Sequence, residues 1–147
     1  MGKYRKLTHT VYKCEYHIVW TPKYRYRVLQ GELSSELQRD IYGLSSHKDV
    51  LIEELNIQKD HVHMLCSVPP KVSISNYMGY LKGKTAIKIL RSYPKLRKRT
   101  YWGNHFWSRG YFVSTVGLDE DMIRRYVKYQ EKVERDQEKD SGQNTLF

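Results

Sequence analysis

The sequence predicts an α+β sandwich of the ferredoxin-like or RRM-like type, an antiparallel sheet with helices, and three observations carry that expectation. Runs of β-forming residues alternate with runs of helical apolar spacing, in the order strand, helix, strand, strand, helix, strand pair, helix. The chain of 147 residues is long enough for one core of its own and contains no internal repeat. Hydrophobic residues make up 39% and charged residues 29%, which suits a globular chain rather than a disordered one.

Taken in order, residues 1–10 read as a loose, coil-like basic lead-in that lacks the apolar stretch of a signal peptide. Val11 to Trp20 reads as one strand, with Tyr12, Cys14, Tyr16, Ile18 and Trp20 on one face and Lys13, Glu15, His17 and Val19 on the other. Thr21-Pro22 ends it, and Lys23-Tyr24-Arg25-Tyr26-Arg27 follows as an alternation of cations and aromatic rings. Leu33, Leu37, Ile41 and Leu44 recur at helical spacing and predict a helix over about 32–48. Leu51, Leu55 and Ile57 predict a strand from about 50 to 58, and Lys59-Asp60 a tight turn out of it.

The turn leads into Lys59-Asp60-His61-Val62-His63-Met64-Leu65, the stretch with the most chemistry in it. In a strand successive side chains point to opposite faces, so His61 and His63 share one face. Val62, Met64, Cys66 and Val68 share the other and belong to a core. Two imidazoles on one strand face are able to converge on one metal ion; the plainer reading is a half-buried strand whose solvent face carries two histidines.

After Pro69-Pro70, Ser73 is a good helix N-cap, and Ile74, Tyr77, Met78, Leu81, Thr85 and Ile89 mark one face of a helix to about residue 92. Its other side carries a basic stripe, Lys82, Lys84, Lys88 and Arg91. Gly79 and Gly83 weaken this helix and leave room for another backbone to approach. Pro94 breaks it, and Lys95, Arg97, Lys98 and Arg99 form the densest positive run. Residues 101–107 and 111–115 read as two short strands split at Arg109-Gly110. Asp119 is a good N-cap for a last helix whose seam is Met122, Ile123, Tyr126, Val127, Gln130 and Val133. One domain is therefore expected over 1–133, followed by a polar, flexible tail over 134–147.

Lys and Arg number 26 against 16 acids, a net charge of +10. Such a field favours a polyanion partner, and the 13 tyrosines and 3 tryptophans among the cations suit unpaired bases. No apolar run approaches the roughly 18 residues needed to span a bilayer, so no membrane role is expected. Cys14 and Cys66 have no metal-type spacing and read as buried thiols of a reducing, cytoplasmic compartment.

The last helix offers a second chemical feature. Tyr126 and Gln130 stand four residues apart, on one helix face one turn apart. Gln130 can offer a neutral carbonyl oxygen to a cation begun by the two imidazoles, and Tyr126 a phenol able to attack phosphorus. A plain packing aromatic is the commoner use of such a tyrosine. Tyr129, the competing nucleophile, lies roughly 100° away from the Gln130 direction.

His61-Val62-His63 followed by Met64-Leu65 resembles the histidine–hydrophobe–histidine (HUH) motif of single-strand DNA nucleases. With Tyr126-Val127-Lys128-Tyr129-Gln130 some sixty residues later, the likeness narrows to the single-tyrosine HUH transposases of the insertion-sequence 200/605 family. Tyr16-His17-Ile18-Val19-Trp20-Thr21-Pro22-Lys23-Tyr24-Arg25, Leu81-Lys82-Gly83, and Phe106-Trp107 before Gly110-Tyr111 resemble the same family, from about Tyr12 to Gln130. The resemblance implies a bacterial or archaeal transposase that binds single-stranded DNA hairpins at transposon ends. It implies cleavage with Mg²⁺ or Mn²⁺ and without ATP, the cation held by His61, His63 and Gln130. Tyr126 then forms a 5′-phosphotyrosine link and releases a 3′-hydroxyl, and a homodimer shares the tyrosine helix of one subunit with the histidines of the other.

His17, on the polar strand face, is a candidate neighbour of the metal ligands, although a structural histidine is the plainer reading. His9, His47 and His105 read as surface or packing residues. Lys23, Arg25 and Arg27, with Lys82, Lys84, Lys88, Arg91 and Arg97, are the candidate DNA contacts. A noncatalytic single-stranded nucleic-acid-binding module is the alternative from another class, and a domesticated HUH nuclease acting on chromosomal repeats is a third. A binding module has no need of a helical tyrosine spaced to Gln130 in addition to a histidine pair.

Overall fold

The computed structural model describes residues 4–7, 9–97 and 105–117, together with Asp121, Arg125, Lys128, Lys132, Val133 and residues 135–137. The chain divides into two compact units. One comprises residues 13–116 with 1–3, and the other residues 4–12 with 117–147.

The larger unit is a four-stranded antiparallel sheet under two helices. Its elements are β3 (Glu15–Trp20), α1 (Gly31–Ser46), β4 (Leu51–Ile57), β5 (Val62–Ser67), α2 (Ile74–Ser92) and β6 (Phe112–Thr115). The strands lie side by side in the order β4-β5-β3-β6, each antiparallel to its neighbours. Each helix connection therefore skips over one strand, which is the split connectivity of the ferredoxin-like sandwich that the element order predicts.

Alternation decides which face the helices cover. Ile18 and Trp20 of β3 and Val62, Met64 and Cys66 of β5 pack with Leu33, Leu37 and Ile41 of α1 and Tyr77, Met78, Leu81, Ile89 and Leu90 of α2. Where the α1 seam reaches Ser45, that hydroxyl is buried with the Tyr77 hydroxyl 2.6 Å away, so a polar pair joins the two helices inside the apolar layer. Ser73 caps α2 as expected, its Oγ accepting from the Asn76 backbone N–H at 3.1 Å. Among the described residues nothing lies within 4 Å of a Cβ built at Gly79 or Gly83, so no described backbone makes the close approach that these glycines leave room for.

Two further expectations are corrected. The β-rich run from Val11 to Trp20 is not one strand: β2 (Val11–Tyr12) pairs with β1 (Arg5–Lys6), whereas β3 starts at Glu15 and pairs with β5 and β6. A single alternating stretch thus serves two sheets, and alternation carries no information about partners. The lead-in is correspondingly no plain coil, because Arg5–Lys6 forms a hairpin with Val11–Tyr12, closed by the Leu7 N–H on the Thr10 carbonyl.

The strand expected over 101–107 lies partly outside the described residues; Trp107 makes an isolated bridge to Pro22. Most of the last helix, Tyr126, Tyr129 and Gln130 included, also lies outside them. Asp121, Arg125, Lys128, Lys132, Val133 and residues 135–137 are helical. Among the described residues no helix is long and apolar enough to cross a membrane.

Candidate active site

The histidine stretch enters the sheet through a two-residue turn. The Gln58 N–H donates to the His61 carbonyl at 2.9 Å, which closes β4 onto β5 around Lys59-Asp60 as the sequence predicts. From there β5 is an interior strand, paired through its length with β3 on one side and β4 on the other. Val62, Met64 and Cys66 are fully buried against the helices, which leaves His63 on the opposite face, exposed, with half-buried His61 immediately before the strand. His63 thus lies on the face expected for it, opposite Val62 and Met64.

Each imidazole has a partner of its own. His61 Nδ1 is 2.8 Å from Asp60 Oδ1, and Asp60 Oδ2 accepts from the Arg25 guanidinium at 2.8 Å. The hydrogen bonds from His61 and then from Arg25 hold the Asp60 carboxyl below its ordinary pKa, so it stays an acceptor. His63 Nε2 lies 3.3 Å from Nδ1 of His17, which projects from β3 on the same face. The sequence left His17 between neighbour and structural residue, and the sheet register sets it diagonally beside His63.

Asp60, read from the sequence only as a turn residue, is the partner of His61 that sequence reasoning missed. Its position directly before His61 was the available signal. Among the described residues no group of three His, Cys, Asp or Glu side chains stands in metal-holding arrangement.

The candidate DNA-contacting cations do not share one surface. Lys23, Arg25 and Arg27 sit in the loop between β3 and α1, whose tight turn Lys23–Arg25 puts Tyr24 and Arg25 at φ 60° and 53°. Neither is glycine, and such backbone costs on the order of 1–3 kcal/mol per residue. The Tyr24 and Tyr26 rings are exposed and lie 5.7 Å apart.

This loop is held from beneath. Lys23 N–H donates to the Phe106 carbonyl, Ser108 N–H to Thr21, and Ser108 Oγ to Pro22. Lys82 Nζ donates to the Ser108 and Gly110 carbonyls at 2.8 and 2.7 Å, and Trp107 Nε1 to Thr85 Oγ1 at 2.9 Å. Lys82 is thereby tied into the fold, and burial lowers its pKa. Lys23, His105, Trp107, Ser108 and Arg109 line a pocket of about 250 Å³ beside the loop.

Lys84, Lys88 and Arg91 lie elsewhere. With Arg39 they line a groove of about 620 Å³ between α1 and α2, on the helix layer rather than the histidine face. Lys88 is ion-paired with Asp40 there. Arg97 lies exposed beyond the end of α2. The structure thus brings Lys23, Arg25 and Arg27 to the histidine end of the sheet, ties Lys82 into the segment beneath them, and sets Lys84, Lys88 and Arg91 on the helix layer.

The fold and site define a ferredoxin-like α+β sandwich with His17 and His63 on the sheet face away from its helices and His61 at the entry of the same strand as His63. Residues 10–130 match the family described as IS200-like transposases. The transposase of insertion sequence element IS200 from Salmonella typhimurium is 41% identical over 130 residues, covering 88% of this chain and 85% of that one. The ISDra2 transposase TnpA of Deinococcus radiodurans is 31% identical over 121 residues, 82% of this chain and 86% of its own.

A crystal structure described as a transposase from Deinococcus radiodurans superposes with a TM-score of 0.70 at 30% identity, over 86% of this chain and 97% of that one. The fold is also that of a REP-associated tyrosine transposase bound to a REP hairpin, with a TM-score of 0.53 at 14% identity, over 97% and 76% of the two chains. The chain belongs to the IS200-like transposase family, a family of DNA-processing enzymes.

Proposed function

We propose that this protein cuts and rejoins single-stranded DNA at transposon ends through a covalent tyrosine intermediate. The observation that carries the reading is the histidine pair at the entry of an interior strand, on the face away from the helices, in a chain of this family. The basic, aromatic-rich loop over residues 23–27 at the same end of the sheet suits an unpaired strand. A relative of the same fold was solved on a DNA hairpin, which favours hairpin ends as the element recognised.

The donors fit a divalent cation such as Mg²⁺ or Mn²⁺. His61 has its Nδ1 engaged by a carboxylate, which leaves Nε2 as the coordinating nitrogen, and His63 is exposed beside it. Gln130 supplies a neutral oxygen as the third ligand. A cation held by His61, His63 and Gln130 would supply Lewis-acid polarisation of a phosphoryl oxygen and neutralise developing charge.

The phenolic oxygen of Tyr126 bonds to phosphorus as the phosphorus–O3′ bond breaks; the phenol proton is lost to solvent and the departing O3′ takes up a proton from solvent. The products are a 5′-phosphotyrosine and a free 3′-hydroxyl. A 3′-hydroxyl of another strand reverses the step, so no ATP is needed. Two copies of the chain work as a homodimer, the tyrosine helix of one completing the histidine pair of its partner.

The test uses single-stranded oligonucleotides from the DNA flanking the gene, with Mg²⁺, Mn²⁺ or chelator, resolved on a denaturing gel. The expected result is a metal-dependent protein–DNA adduct that Tyr126→Phe abolishes and Tyr129→Phe retains. Loss only in Tyr129→Phe keeps the reaction and moves the nucleophile. Tight binding without adduct on any strand overturns the enzyme in favour of a binding module.

A further inference from the structure

We infer that Asp60 and Arg25 are positioning residues for His61: Asp60 keeps the imidazole proton on Nδ1, and Arg25 holds the carboxylate that does so. This rests on the reading of His61 as a cation ligand given above.

The carboxylate divides its oxygens between the two partners, Oδ1 to His61 Nδ1 and Oδ2 to Arg25, each at 2.8 Å. An ionised carboxylate only accepts, so Nδ1 must be the donor. A neutral imidazole then has its lone pair on Nε2, the nitrogen left for a cation.

Stability does not account for the arrangement. The Arg25 side chain is 70% exposed and Asp60 partly so, at 28%, an environment where an ion pair adds little. Yet the chain adopts two consecutive left-handed, non-glycine residues, Tyr24 and Arg25, at the turn that delivers this guanidinium. Such backbone persists where its surroundings over-determine it. Here Arg25 N–H donates to the Pro22 carbonyl, Lys23 N–H to Phe106, and Leu29 N–H to Lys59, the residue before Asp60. The loop is therefore fastened both to the sheet and to the histidine turn, with Arg25 spanning the two.

Replacement by the isosteric amide makes the idea testable. In Asp60→Asn, Arg25 claims the amide oxygen, so the NH₂ group faces His61 and donates to Nδ1. The proton is driven onto Nε2, the coordinating nitrogen.

The experiment combines long-range ¹H–¹⁵N correlation of the histidine rings, assigned with His61→Ala, and calorimetric titration with Mn²⁺ alone. Wild type should show His61 as the Nδ1–H tautomer. Asp60→Asn should shift it toward Nε2–H and weaken Mn²⁺ binding about tenfold, the scale seen for partners of metal-ligating histidines. Adding Arg25→Gln to Asp60→Asn should restore part of both, because the amide is then free to rotate.

An unchanged tautomer in Asp60→Asn overturns the inference, as does unchanged Mn²⁺ affinity when His61→Ala abolishes binding. Absence of His61-dependent Mn²⁺ binding in wild type instead overturns the metal reading, and the tautomer alone then decides the role of Asp60.

Discussion

The Nδ1 of His17 lies 3.3 Å from the Nε2 of His63, on the sheet face away from the helices. One nitrogen of the pair must donate and the other accept. A cation held by His63 through Nε2 has to displace that contact, so His17 competes with the metal. His17→Phe keeps a ring in place and removes the competitor. A hydrogen bond of this kind is worth about 0.5–1.5 kcal/mol, so Mn²⁺ should bind roughly two- to tenfold tighter by calorimetry. Weaker binding in the variant would mean that His17 itself donates to the ion.

Lys82 and Lys84 are both cations of α2, yet their environments differ. Lys82 donates to two backbone carbonyls of the segment that supports the Lys23–Arg25 turn. Lys84 is exposed on the groove between the helices. Lys82→Met should lower stability by about 1–3 kcal/mol in urea unfolding, since charge-assisted bonds are lost. Lys84→Met should leave stability within about 0.5 kcal/mol. If Lys84 contacts phosphate, its replacement should reduce the salt slope of DNA binding by about 1.

The buried hydroxyl pair between α1 and α2 gives a third test. Tyr77→Phe leaves the Ser45 Oγ in the core without the partner it has at 2.6 Å. A loss of about 1–3 kcal/mol is expected. Tyr77→Phe with Ser45→Ala removes both polar atoms and should be less harmful than the sum of the single changes. Simple additivity in that cycle would show that the hydroxyls do not interact.

A pH dependence follows from two carboxyls at the far end of the same sheet. Glu53, at the bulge in β4, is pushed up from 4.5 to about 7, first by burial and then by the adjoining Glu15 carboxyl. Its folded-state pKa is thus raised above the unfolded value. The stabilisation is fully present below about pH 4.5 and is lost as pH rises through about 7. Lys13, 3.9 Å from Glu15, offsets part of the repulsion. Glu53→Gln mimics the protonated acid, so it should match wild type at pH 4.5 and exceed its melting temperature at pH 8. A constant difference between the two proteins across that range would refute the assignment.

Much of the fold was legible because each core strand and helix keeps its period. The α1 seam at Leu33, Leu37 and Ile41, the Ser73 cap, and the alternation Val62, Met64, Cys66 follow from local spacing alone and need no knowledge of strand order. The break at Lys13-Cys14 was not, because hairpin and sheet strands use the same β-forming residues and differ only in pairing. The outward face of His63 was legible for the same reason as the core, by parity along one strand.

Asp60 and Arg25 were not legible as partners, since they are 35 residues apart and meet through a left-handed turn made by Tyr24 and Arg25. Sequence expects glycine or asparagine at such backbone. Likewise Lys82 looked like one more cation of a basic stripe. Only the fold reveals the two carbonyls it serves.

The interior position of β5 has a consequence for how this protein can fail. A slip of one residue against β3 and β4 would send Val62, Met64 and Cys66 into water and drive both imidazoles into the apolar layer. No compact conformer with a misaligned strand is therefore available to survive as an inert copy. Molecules that lose the histidine geometry by this route lose their core with it, and cellular proteases would remove them as unfolded chains.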